Sequence, residues 1–377
     1  GIFVSNAASA IVYTLGNEAG ANEVIAFDLD EQGSIFEVGR FPTQGTGSGA
    51  PLGNQSALTT DASDRWLFAT NAGDGSLTSF RLQPEGLQFV NKVGSGGIRP
   101  ISVTVFGTLV YVLNEGDGVS HQPHLRYDNI SGFRFTAGGV LEPIPGSTRI
   151  IDKTQLTAPA QIGFNKSGTV LLITEKSTNT ITTFVMQEND TPKHTPLKRP
   201  SVVPTPFGFV FGDRDYVFIT EANGGGIGAT VSYRVDRETG EVSPLVGRLD
   251  QGMATCWAVL SSDQTIGFSA NTGSGTISSF KVNFNGTMDF RNGAPIDMPE
   301  FTGNGVRDLV LTQDNRFLFS LNNGDGLIRR FVIDQRGMLS DTLRRGRFKP
   351  LGVVSEAPRG GSNVASIPTS ATGLMAR

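Results

Sequence analysis

The stretch Phe317–Ile333, FLFSLNNGDGLIRRFVI, contains the local pattern that decides the fold. The mostly apolar run FLFSL is followed by the polar, glycine-rich segment NNGDG and then by a second apolar-rich run, LIRRFVI. Asn, Gly and Asp supply the backbone conformations with positive φ that tight hairpins need. The stretch therefore predicts a β-hairpin, in which a turn joins two antiparallel strands.

The same hairpin pattern recurs along the chain, giving seven copies in all. The other six begin at Ala10, Trp66, Leu109, Val170, Tyr216 and Thr265. Neighbouring copies lie 43 to 61 residues apart, measured between the polar residues that follow each leading strand: Asn17, Asn71, Asn114, Glu175, Glu221, Asn271 and Asn322. Strand-only repeats of about 40–50 residues are typical of β-propellers. In such a ring each small sheet buries its faces against its neighbours.

We predict an all-β fold: a seven-bladed β-propeller of four-stranded antiparallel blades, formed by residues 1–377 as a single domain. Each later hairpin is preceded by a short apolar run that suits an inner strand. The N-terminal blade lacks this run. The segment SNVASIPTSATG from Ser362 aligns with APAQIGFNKSG from Ala158, so we predict that Asn363–Ile367 supplies the missing inner strand and closes the ring. The alternative is a loose C-terminal tail.

Composition and charge exclude several classes of function. A net charge of −4 offers no basic stripe for nucleic acid and no polybasic patch for a membrane. One cysteine and three histidines argue against a metal site. We therefore expect no metal, no cofactor and a monomer whose partner is a small molecule. Five N-x-[ST] sequons favour a secreted or extracellular protein over a periplasmic or cytoplasmic one; they begin at Asn54, Asn129, Asn165, Asn189 and Asn285.

One face of the predicted ring should gather the residues that bear chemistry. In a four-stranded blade, the turn between the second and third strands lies beside the start of the inner strand, near the central channel. The hairpin turns bring there the seven Asn and Glu residues given above. The starts of the inner strands bring Gln55, Arg99, Gln161, Phe207, Trp257, Arg307 and Asn363. An insertion, Val119–Asp128, brings His121, His124 and Arg126 to the same side.

The polar residues of the hairpin turns have two interpretations. Asn tolerates the left-handed backbone conformation and bonds its own backbone, so the five asparagines suit the turns themselves. Glu175 and Glu221 replace Asn at the same register, where a carboxylate has less value in a turn. Two acids on one converging face would act as general base and general acid, or share a proton. Alternatively they are solvated, or paired with Lys176.

Two arginines precede inner strands, at Arg99 and Arg307. A guanidinium in that place would bind a substrate carboxylate through two hydrogen bonds. The alternative is a salt bridge with Asp308 or Asp325.

The remaining candidates carry weaker signals. Trp257 and Phe207 would either contact substrate in the channel or pack in the core. Cys256 has no histidine base in register, which argues against a nucleophile. His121 and His124, three residues apart in a loop, would contact substrate, bind metal or move a proton.

Several phrases resemble a known family. NAGDGSLTSFRL, GIRPISVTV, IPGSTR, APAQIGFNKSGTVLLITEKSTNTITTF and VRDLVLTQDNRFLF are similar to segments of the seven-bladed propeller lactonases. That family includes the 3-carboxymuconate cyclases and the propeller type of 6-phosphogluconolactonase. The phrases EKSTNTI and GSGGIRPISV are most like the secreted or cell-wall cyclase-like proteins of fungi and soil bacteria. The likeness spans nearly the whole chain and implies the propeller fold and, as an expectation, activity on a lactone.

The chain departs from that family where catalytic residues are expected. Members tend to carry a Pro-[Arg/His]-His phrase at the start of an inner strand, with Arg and Glu partners on the channel. The matching phrases here lack the histidine; they are Pro159-Ala160-Gln161, Pro100-Ile101-Ser102 and Pro206-Phe207-Gly208. Arg307 keeps the basic partner position and Glu175 the hairpin acid. The resemblance thus implies that Glu175 or Glu221 would have to move the proton.

Three functional hypotheses follow. The first is a metal-independent lactonase or cycloisomerase acting on a small carboxylated lactone, or on a sugar- or aromatic-derived acid, in the channel. Its catalytic residues would be Glu175, Glu221 and Arg307, and its substrate-binding residues Arg99, Gln161, Trp257, Phe207, Asn114, Asn271 and His121. The second is a non-catalytic secreted or cell-surface binding propeller whose channel is plugged by apolar side chains such as Phe207 and Trp257. The third is a lyase or isomerase acting on a carbohydrate or aromatic acid in the same pocket.

Overall fold

A computed structural model describes residues 11–29, 34–290, 305–324, 326–334, 337–340 and 364–377. These residues form seven antiparallel sheets. The inner strand of each sheet contacts the inner strands of the two neighbouring sheets, so the sheets are the blades of a closed ring around one axis. The prediction of a seven-bladed all-β propeller is therefore confirmed.

Strands are numbered here in chain order, and each blade has an inner and a second strand. The inner strands are β4 (Leu58–Thr60), β8 (Pro100–Phe106), β13 (Pro159–Phe164), β17 (Pro206–Phe211), β21 (Thr255–Leu260), β25 (Val306–Leu311) and β30 (Thr372–Ala376). The second strands are β1 (Val12–Leu15), β5 (Trp66–Asn71), β9 (Leu109–Asn114), β14 (Val170–Glu175), β18 (Tyr216–Glu221), β22 (Ile266–Asn271) and β26 (Phe317–Asn322).

The third and outer strands complete each blade. The third strands are β2 (Glu23–Leu29), β6 (Ser76–Gln83), β10 (Asn129–Phe135), β15 (Thr180–Val185), β19 (Ile227–Val235), β23 (Thr276–Val282) and β27 (Leu327–Ile333). The outer strands are β3 (Ile35–Pro42), β7 (Gly86–Gly94), β11 (Leu141–Pro143), β12 (Arg149–Ile150), β16 (Leu197–Pro200), β20 (Val242–Met253), β24 (Met288–Phe290), β28 (Leu339–Ser340) and β29 (Val364–Ser366). Strands β11 and β12 both pair with β10, and β28 and β29 both pair with β27.

The hydrophobic core lies between adjacent blades. In one interface Tyr111 and Ile130 of one blade pack in the same cluster as Phe164 and Phe184 of the next. The second and third strands contribute fully buried side chains such as Phe319. Burying one large apolar side chain stabilises the fold by about 1.5–3 kcal/mol, so the interfaces between blades hold the ring together.

The C-terminal segment closes the ring, but with a different strand from the one predicted. The inner strand of the N-terminal blade is β30, which pairs with β1. Val364–Ser366 of the predicted segment instead forms the outer strand β29, paired with β27 of the preceding blade; Asn363 lies outside the described residues. Burial explains the difference, because Ala371 and Leu374 are buried whereas Ser366 is exposed and its two strand neighbours are only partly buried.

Helical structure is brief in the described residues. The insertion in the third blade contains α1 (Pro123–Arg126), a single turn with no buried residue. A short 3-10 turn, Asn223–Gly225, lies in a glycine-rich hairpin. None of the helices that the described residues form has the length and apolar character needed to span a bilayer.

The sequons differ in exposure. Asn54, Asn129 and Asn165 are buried, whereas Asn189 and Asn285 are exposed in turns. A glycan could therefore be attached in the folded protein only at the last two of these five. The place of the protein in or outside the cell stays a prediction.

Candidate functional site

The ring has two ends, and the chain seals one of them. The inner strands begin beside the ends of the second strands, as where Pro159 pairs with Glu175 and Pro206 with Glu221. At this end residues 51–56, which lead from β3 to β4, lie across the axis. We call residues 51–56 the plug, this end the sealed end, and the other end the open end.

Asn54 ties the plug to three other blades. Trp257 Nε1 donates a hydrogen bond to the Asn54 carbonyl oxygen over 2.8 Å, and Thr372 Oγ1 donates to Asn54 Oδ1 over 2.7 Å. Asn54 Nδ2 donates in turn to the carbonyl oxygen of Ile101. Each such bond contributes about 0.5–1.5 kcal/mol, and leaving one of these buried groups without its partner would cost about 1–3 kcal/mol. The plug is therefore fixed in place.

Gln55 bonds the plug to inner strands on the other side of the axis. Its backbone N–H donates to Ala160 over 3.1 Å, and its side-chain Nε2 donates to the carbonyl of Ala258 over 2.9 Å. A Cβ atom built on Gly208 would lie 2.0 Å from Gln55 Oε1 and 2.6 Å from the carbonyl oxygen of Cys256. Only glycine fits at position 208 while Gln55 occupies this place.

Beneath the plug lies a layer formed by the third residue of five consecutive inner strands: Ser102, Gln161, Gly208, Trp257 and Asp308. We call these five residues the axial layer. Three of them accept a hydrogen bond from a backbone N–H of the next inner strand. Ser102 accepts from Ile162 over 3.2 Å, Gln161 from Phe209 over 2.7 Å, and Asp308 from Leu374 over 3.0 Å. The layer thus joins neighbouring blades around the axis.

Beyond the axial layer the axis widens into a cavity of about 640 Å³, which we call the open cavity because it reaches the open end. Most of its lining side chains are apolar, including Phe106, Phe164, Phe209 and Phe211. Its polar lining residues are Gln55, Ser56, Thr59, Thr104, Gln161, Asn165, Lys166 and Asp308. The inner strands are edge strands, so unpaired backbone N–H and C=O groups also face the axis.

Asp308 is the carboxyl group of this cavity. It is 3% exposed, and Oδ1 accepts the N–H of Leu309 over 2.9 Å while Oδ2 accepts that of Leu374. Burial raises the pKa of Asp308 to about 7, although the two N–H donors oppose the shift. Among the described residues no cation lies within ion-pair distance, so the salt bridge with Arg307 considered from the sequence is not formed.

Arg307 lies on the sealed side of the axial layer. It lines a small pocket of about 10 Å³ together with Asn54, Trp257 and Asp308, which is room for about one water molecule. Its Nε atom is buried and has no hydrogen-bond partner in the part of the chain that the structure describes. Burial lowers the pKa of Arg307, opposed by the nearby Cys256 thiol. Asp325, the other predicted partner, lies outside the described residues.

Glu175 is buried inside its own hairpin. It accepts hydrogen bonds from the hydroxyls of Thr178, over 2.6 Å, and Thr182, and Lys198 Nζ lies 3.7 Å from its Oε1. Burial raises the pKa of Glu175, while the two hydroxyls and Lys198 lower it. The cation near it is thus Lys198 rather than Lys176, which was one alternative considered from the sequence.

Glu221 is buried in the next blade. Tyr233 Oη donates a hydrogen bond to Glu221 Oε1, and the N–H of Val203 donates one to Glu221 Oε2. The distance between donor and acceptor is 2.5 Å in each bond. Burial raises the pKa of Glu221 to about 7 against the effect of these donors. The bond from Val203 holds the connector before β17 against the blade.

The asparagines that end the second strands play a part similar to that of Glu175. Asn271 Nδ2 donates to Thr276 Oγ1 over 3.0 Å and to Ser278 Oγ over 2.8 Å, and Asn114 Nδ2 donates to Asn129 Oδ1 over 3.1 Å. Of the seven Asn and Glu residues assigned to the hairpin turns from the sequence, only Asn17 has the positive φ that a left-handed turn residue requires, at 54°. The interpretation as left-handed turn residues is therefore wrong for Asn71, Asn114, Asn271 and Asn322. The side chains of the first three cross-link their hairpins from extended backbone, whereas that of Asn322 is buried without a hydrogen-bond partner among the described residues.

Arg99 and His121 lie at the surface. Arg99 Nε is 3.1 Å from Glu115 Oε2, so it forms a salt bridge with an acid that the sequence did not suggest. His121 and His124 are exposed. No cluster of three or more potential metal ligands occurs in the described residues.

Phe207, Trp257 and Lys176 pack together beside the plug. The two rings meet edge to face with centroids 4.8 Å apart, and Lys176 Nζ lies 5.2 Å from the centre of the Phe207 ring. Lys176 Nζ also donates to the carbonyl oxygen of Gly53 over 2.8 Å. The neighbouring Cys256 is buried, and burial raises the pKa of its thiol to about 11, which does not suit a nucleophile.

The predicted site residues are thus divided among separate places. Gln161 lines the open cavity, whereas Trp257 and Arg307 line the small pocket of the sealed end. Glu175 and Glu221 line neither axial cavity. The structure does not gather Arg99, Arg307, Glu175 and Glu221 in one axial pocket, and their roles remain predictions.

Two features of the site were missed from the sequence. Asp308 was considered only as a salt-bridge partner, although the alignment of inner strands places it level with Gln161 and with the histidine of the family phrase. The plug was missed because the sequence assigned Gln55 to the start of an inner strand, whereas β4 begins only at Leu58 and Gln55 lies in the segment before it. The long-range hydrogen bonds of the plug leave no local pattern in the sequence.

Comparison with solved structures finds the same fold over the whole chain. A protein of Bacteroides fragilis described as a candidate 6-phosphogluconolactonase has a TM-score of 0.69 and 17% identity, with 99% of both chains covered. One of Bacteroides uniformis, described in the same way, has a TM-score of 0.70 and 17% identity over 98% of this chain and 99% of that chain. The periplasmic gluconolactonase of Pseudomonas aeruginosa has a TM-score of 0.69 and 17% identity over 98% of both chains.

At this level of identity the likeness shows a shared fold. No family profile matches the chain, and a search of curated proteins finds no match.

Proposed function

We propose that this chain is a lactonase-like hydrolase that opens a small lactone ring in the open cavity. The observation that carries the proposal is the cavity itself, with about 640 Å³ of space and with Gln55, Gln161 and Asp308 at its inner end. A concave, mainly apolar site with a few convergent polar groups is the usual form of a small-molecule pocket. Proteins of the same fold that are named lactonases support the reaction class.

The lining favours a lactone with an apolar body. Most of the lining residues are aliphatic or aromatic, and eight polar residues lie among them. A polyhydroxylated sugar lactone would find few side-chain partners beyond these eight, so its remaining hydroxyls would depend on the free backbone groups of the inner strands. An alkyl lactone or one derived from an aromatic acid fits better. Lys166, exposed at the mouth, is the one cation among the described lining residues and would attract a carboxylated substrate.

The inner end of the cavity can stabilise the charge that develops on the carbonyl oxygen. Gln55 Nε2 uses one hydrogen on the carbonyl of Ala258, and its second hydrogen is available. The free edges of the inner strands supply further N–H donors. Fixed donors of this kind lower the barrier to attack on a lactone carbonyl. Gln161, predicted from the sequence to bind substrate, lines the same region.

The test is a lactone panel combined with a cavity-filling variant. The panel contains glucono-lactone, 6-phosphogluconolactone, alkyl γ- and δ-lactones, dihydrocoumarin and a carboxylated muconolactone. We expect turnover of the lactones with apolar bodies and a drop of at least about tenfold in kcat/KM for Thr59→Trp, which fills the cavity. Val119→Trp adds the same bulk at an exposed site outside the cavity and should change nothing.

Absence of turnover across the panel, or equal effects of the two tryptophans, would contradict the proposal. The first of these results would favour a non-catalytic binding propeller. One observation supports that second candidate: Gln161 and Asp308 already bond the neighbouring inner strands. It predicts that an apolar lactone binds in the cavity, in a calorimetric titration, and is recovered unchanged.

A further inference from the structure

We infer that Asp308 is the catalytic residue that moves the proton during opening of the lactone, an inference that rests on the proposed function. Its carboxylate lies in the axial layer at the inner end of the open cavity. Among the residues lining the two axial cavities, Asp308 is the one common to both. It therefore marks the boundary between the sealed part of the axis and the part that a substrate can enter.

The surroundings of Asp308 suit a base better than an ion-pair partner. Each carboxylate oxygen accepts one backbone N–H, from Leu309 and Leu374, which fixes the plane of the group. A carboxylate oxygen has two acceptor sites, so each keeps one for a water molecule or a substrate hydroxyl. The charged residues of the two axial cavities besides Asp308 are Arg307 and Lys166, and neither lies within ion-pair distance of it in the described chain.

Other carboxyl groups near the axis are placed differently. Asp61 and Asp263 occupy the turns at the open end, where they accept bonds from backbone N–H groups and hydroxyls of their own turns. Neither of them lines the open cavity. Asp308 is the only carboxyl residue among the described residues lining it. The same pKa shift to about 7 occurs at Glu221, so placement rather than acidity singles out Asp308.

The reaction balances with water as the only co-reactant. Asp308 takes a proton from a water molecule as the water oxygen forms a bond to the lactone carbonyl carbon. The tetrahedral intermediate then collapses, and the bond between that carbon and the ring oxygen breaks. The protonated Asp308 returns its proton to the leaving ring oxygen, which becomes the hydroxyl of the hydroxy acid product. A group that serves in turn as base and acid works best with a pKa near the working pH.

The test compares Asp308→Asn with Asp263→Asn, which removes a charge from a turn outside the cavity. On the best lactone of the panel, we expect Asp308→Asn to lower kcat at least about 100-fold with KM within about threefold. In the wild type, kcat/KM should rise with pH through an ionisation near 7, and any residual rate of Asp308→Asn should lack that rise. Asp308→Glu, which keeps a carboxyl group, should recover part of the rate. Asp263→Asn should match the wild type.

The possible outcomes separate this inference from the proposed function. Wild-type turnover with a kcat for Asp308→Asn within about threefold of the wild type would overturn the role of Asp308 and leave the lactonase intact. Absence of wild-type turnover on every lactone would overturn both. Should Asp308→Asn fail to fold, the wild-type pH profile decides: a kcat/KM that does not vary between pH 5.5 and 8 would overturn the inference.

Discussion

The two ends of the axis are built from the same repeated strands and yet differ completely. At the sealed end, Asn54 and Gln55 bond inner strands on several sides of the ring, and the remaining pocket holds about 10 Å³. At the open end the same strands leave about 640 Å³. The difference arises from one non-repeated segment, the plug, rather than from the blades.

This contrast separates the stability of the ring from its chemistry. The conspicuous aromatic and cationic side chains of the sealed end, Trp257, Phe207 and Lys176, pack against the plug and hold it. At the open end the aromatic side chains pack on one another, as Phe106 does on Phe164, rather than on a segment that crosses the axis, and the polar groups lie at the bottom of a cavity. Residues that resemble a binding site in the sequence can therefore serve mainly to close the fold.

The largest expected effect tests the sealed end directly. Trp257 is 3% exposed, packs on Phe207 and donates to the Asn54 carbonyl. Trp257→Ala should lower the free energy of unfolding by about 3–5 kcal/mol, measured by urea denaturation. Phe106→Ala, at a lining residue of the open end that is 39% exposed, should lower it by less than about 1 kcal/mol. Equal losses would remove the distinction between the two ends.

The next effect is a dependence of stability on pH. Burial raises the pKa of both Asp308 and Glu221 to about 7, from ordinary values of 3.8 and 4.5. Between about pH 4 and pH 7 the unfolded chain therefore releases protons that the folded chain keeps. Each group then lowers the free energy of unfolding as pH rises, by up to about 1.4 kcal/mol per pH unit.

We expect each group to lower the free energy of unfolding by about 2–3 kcal/mol between pH 5 and pH 7.5, measured by denaturation across that range. Asp308→Asn and Glu221→Gln should each flatten the profile. Comparing these two variants shows how much of the pH dependence comes from the axis, where Asp308 lies, and how much from a hairpin, where Glu221 lies. A stability that rises over this interval would contradict the burial of both groups without strong cationic partners.

The smallest expected effect concerns the fit of the plug. Gly208→Ala would place a Cβ atom 2.0 Å from Gln55 Oε1 and 2.6 Å from a backbone carbonyl. Because Gln55 or the backbone must move to make room, the substitution should lower the free energy of unfolding by about 1–3 kcal/mol. The loss would be seen as a lower melting temperature. Gly94→Ala is a matched control, because a Cβ there meets nothing within 4 Å. A Gly208→Ala variant as stable as the control would show that Gln55 is not held in place.

The fold could be predicted from the sequence because its signals are local and repeated. Strand, turn and strand recur seven times, and every copy supports the same architecture. The prediction assigned the closing inner strand to residues 363–367 instead of to β30. The two segments are hard to tell apart in the sequence because both are short and follow glycines or prolines. Burial of Leu374, rather than any local motif, decides which of them lies inside.

The site could be predicted only in part. The strand alignment brought Gln161 and Arg307 to the axis, since the start of an inner strand lies there in every blade. The residues of the hairpin turns, such as Glu175, were expected to face the channel but bond hydroxyls of their own blade. Which end of the axis is open depends on hydrogen bonds between Asn54 and residues of other blades, and the repeat pattern carries no record of these.

Pairing of β30 with β1 has a consequence for the order of events on the ribosome. Strand β1 is synthesised among the first of the described strands and its inner partner last, so the nascent chain carries an unpaired strand edge throughout translation of the intervening blades. Such an edge can pair with another chain. Prompt pairing of β30 once it has been synthesised, or a chaperone that covers β1 until then, would therefore protect this protein from aggregation.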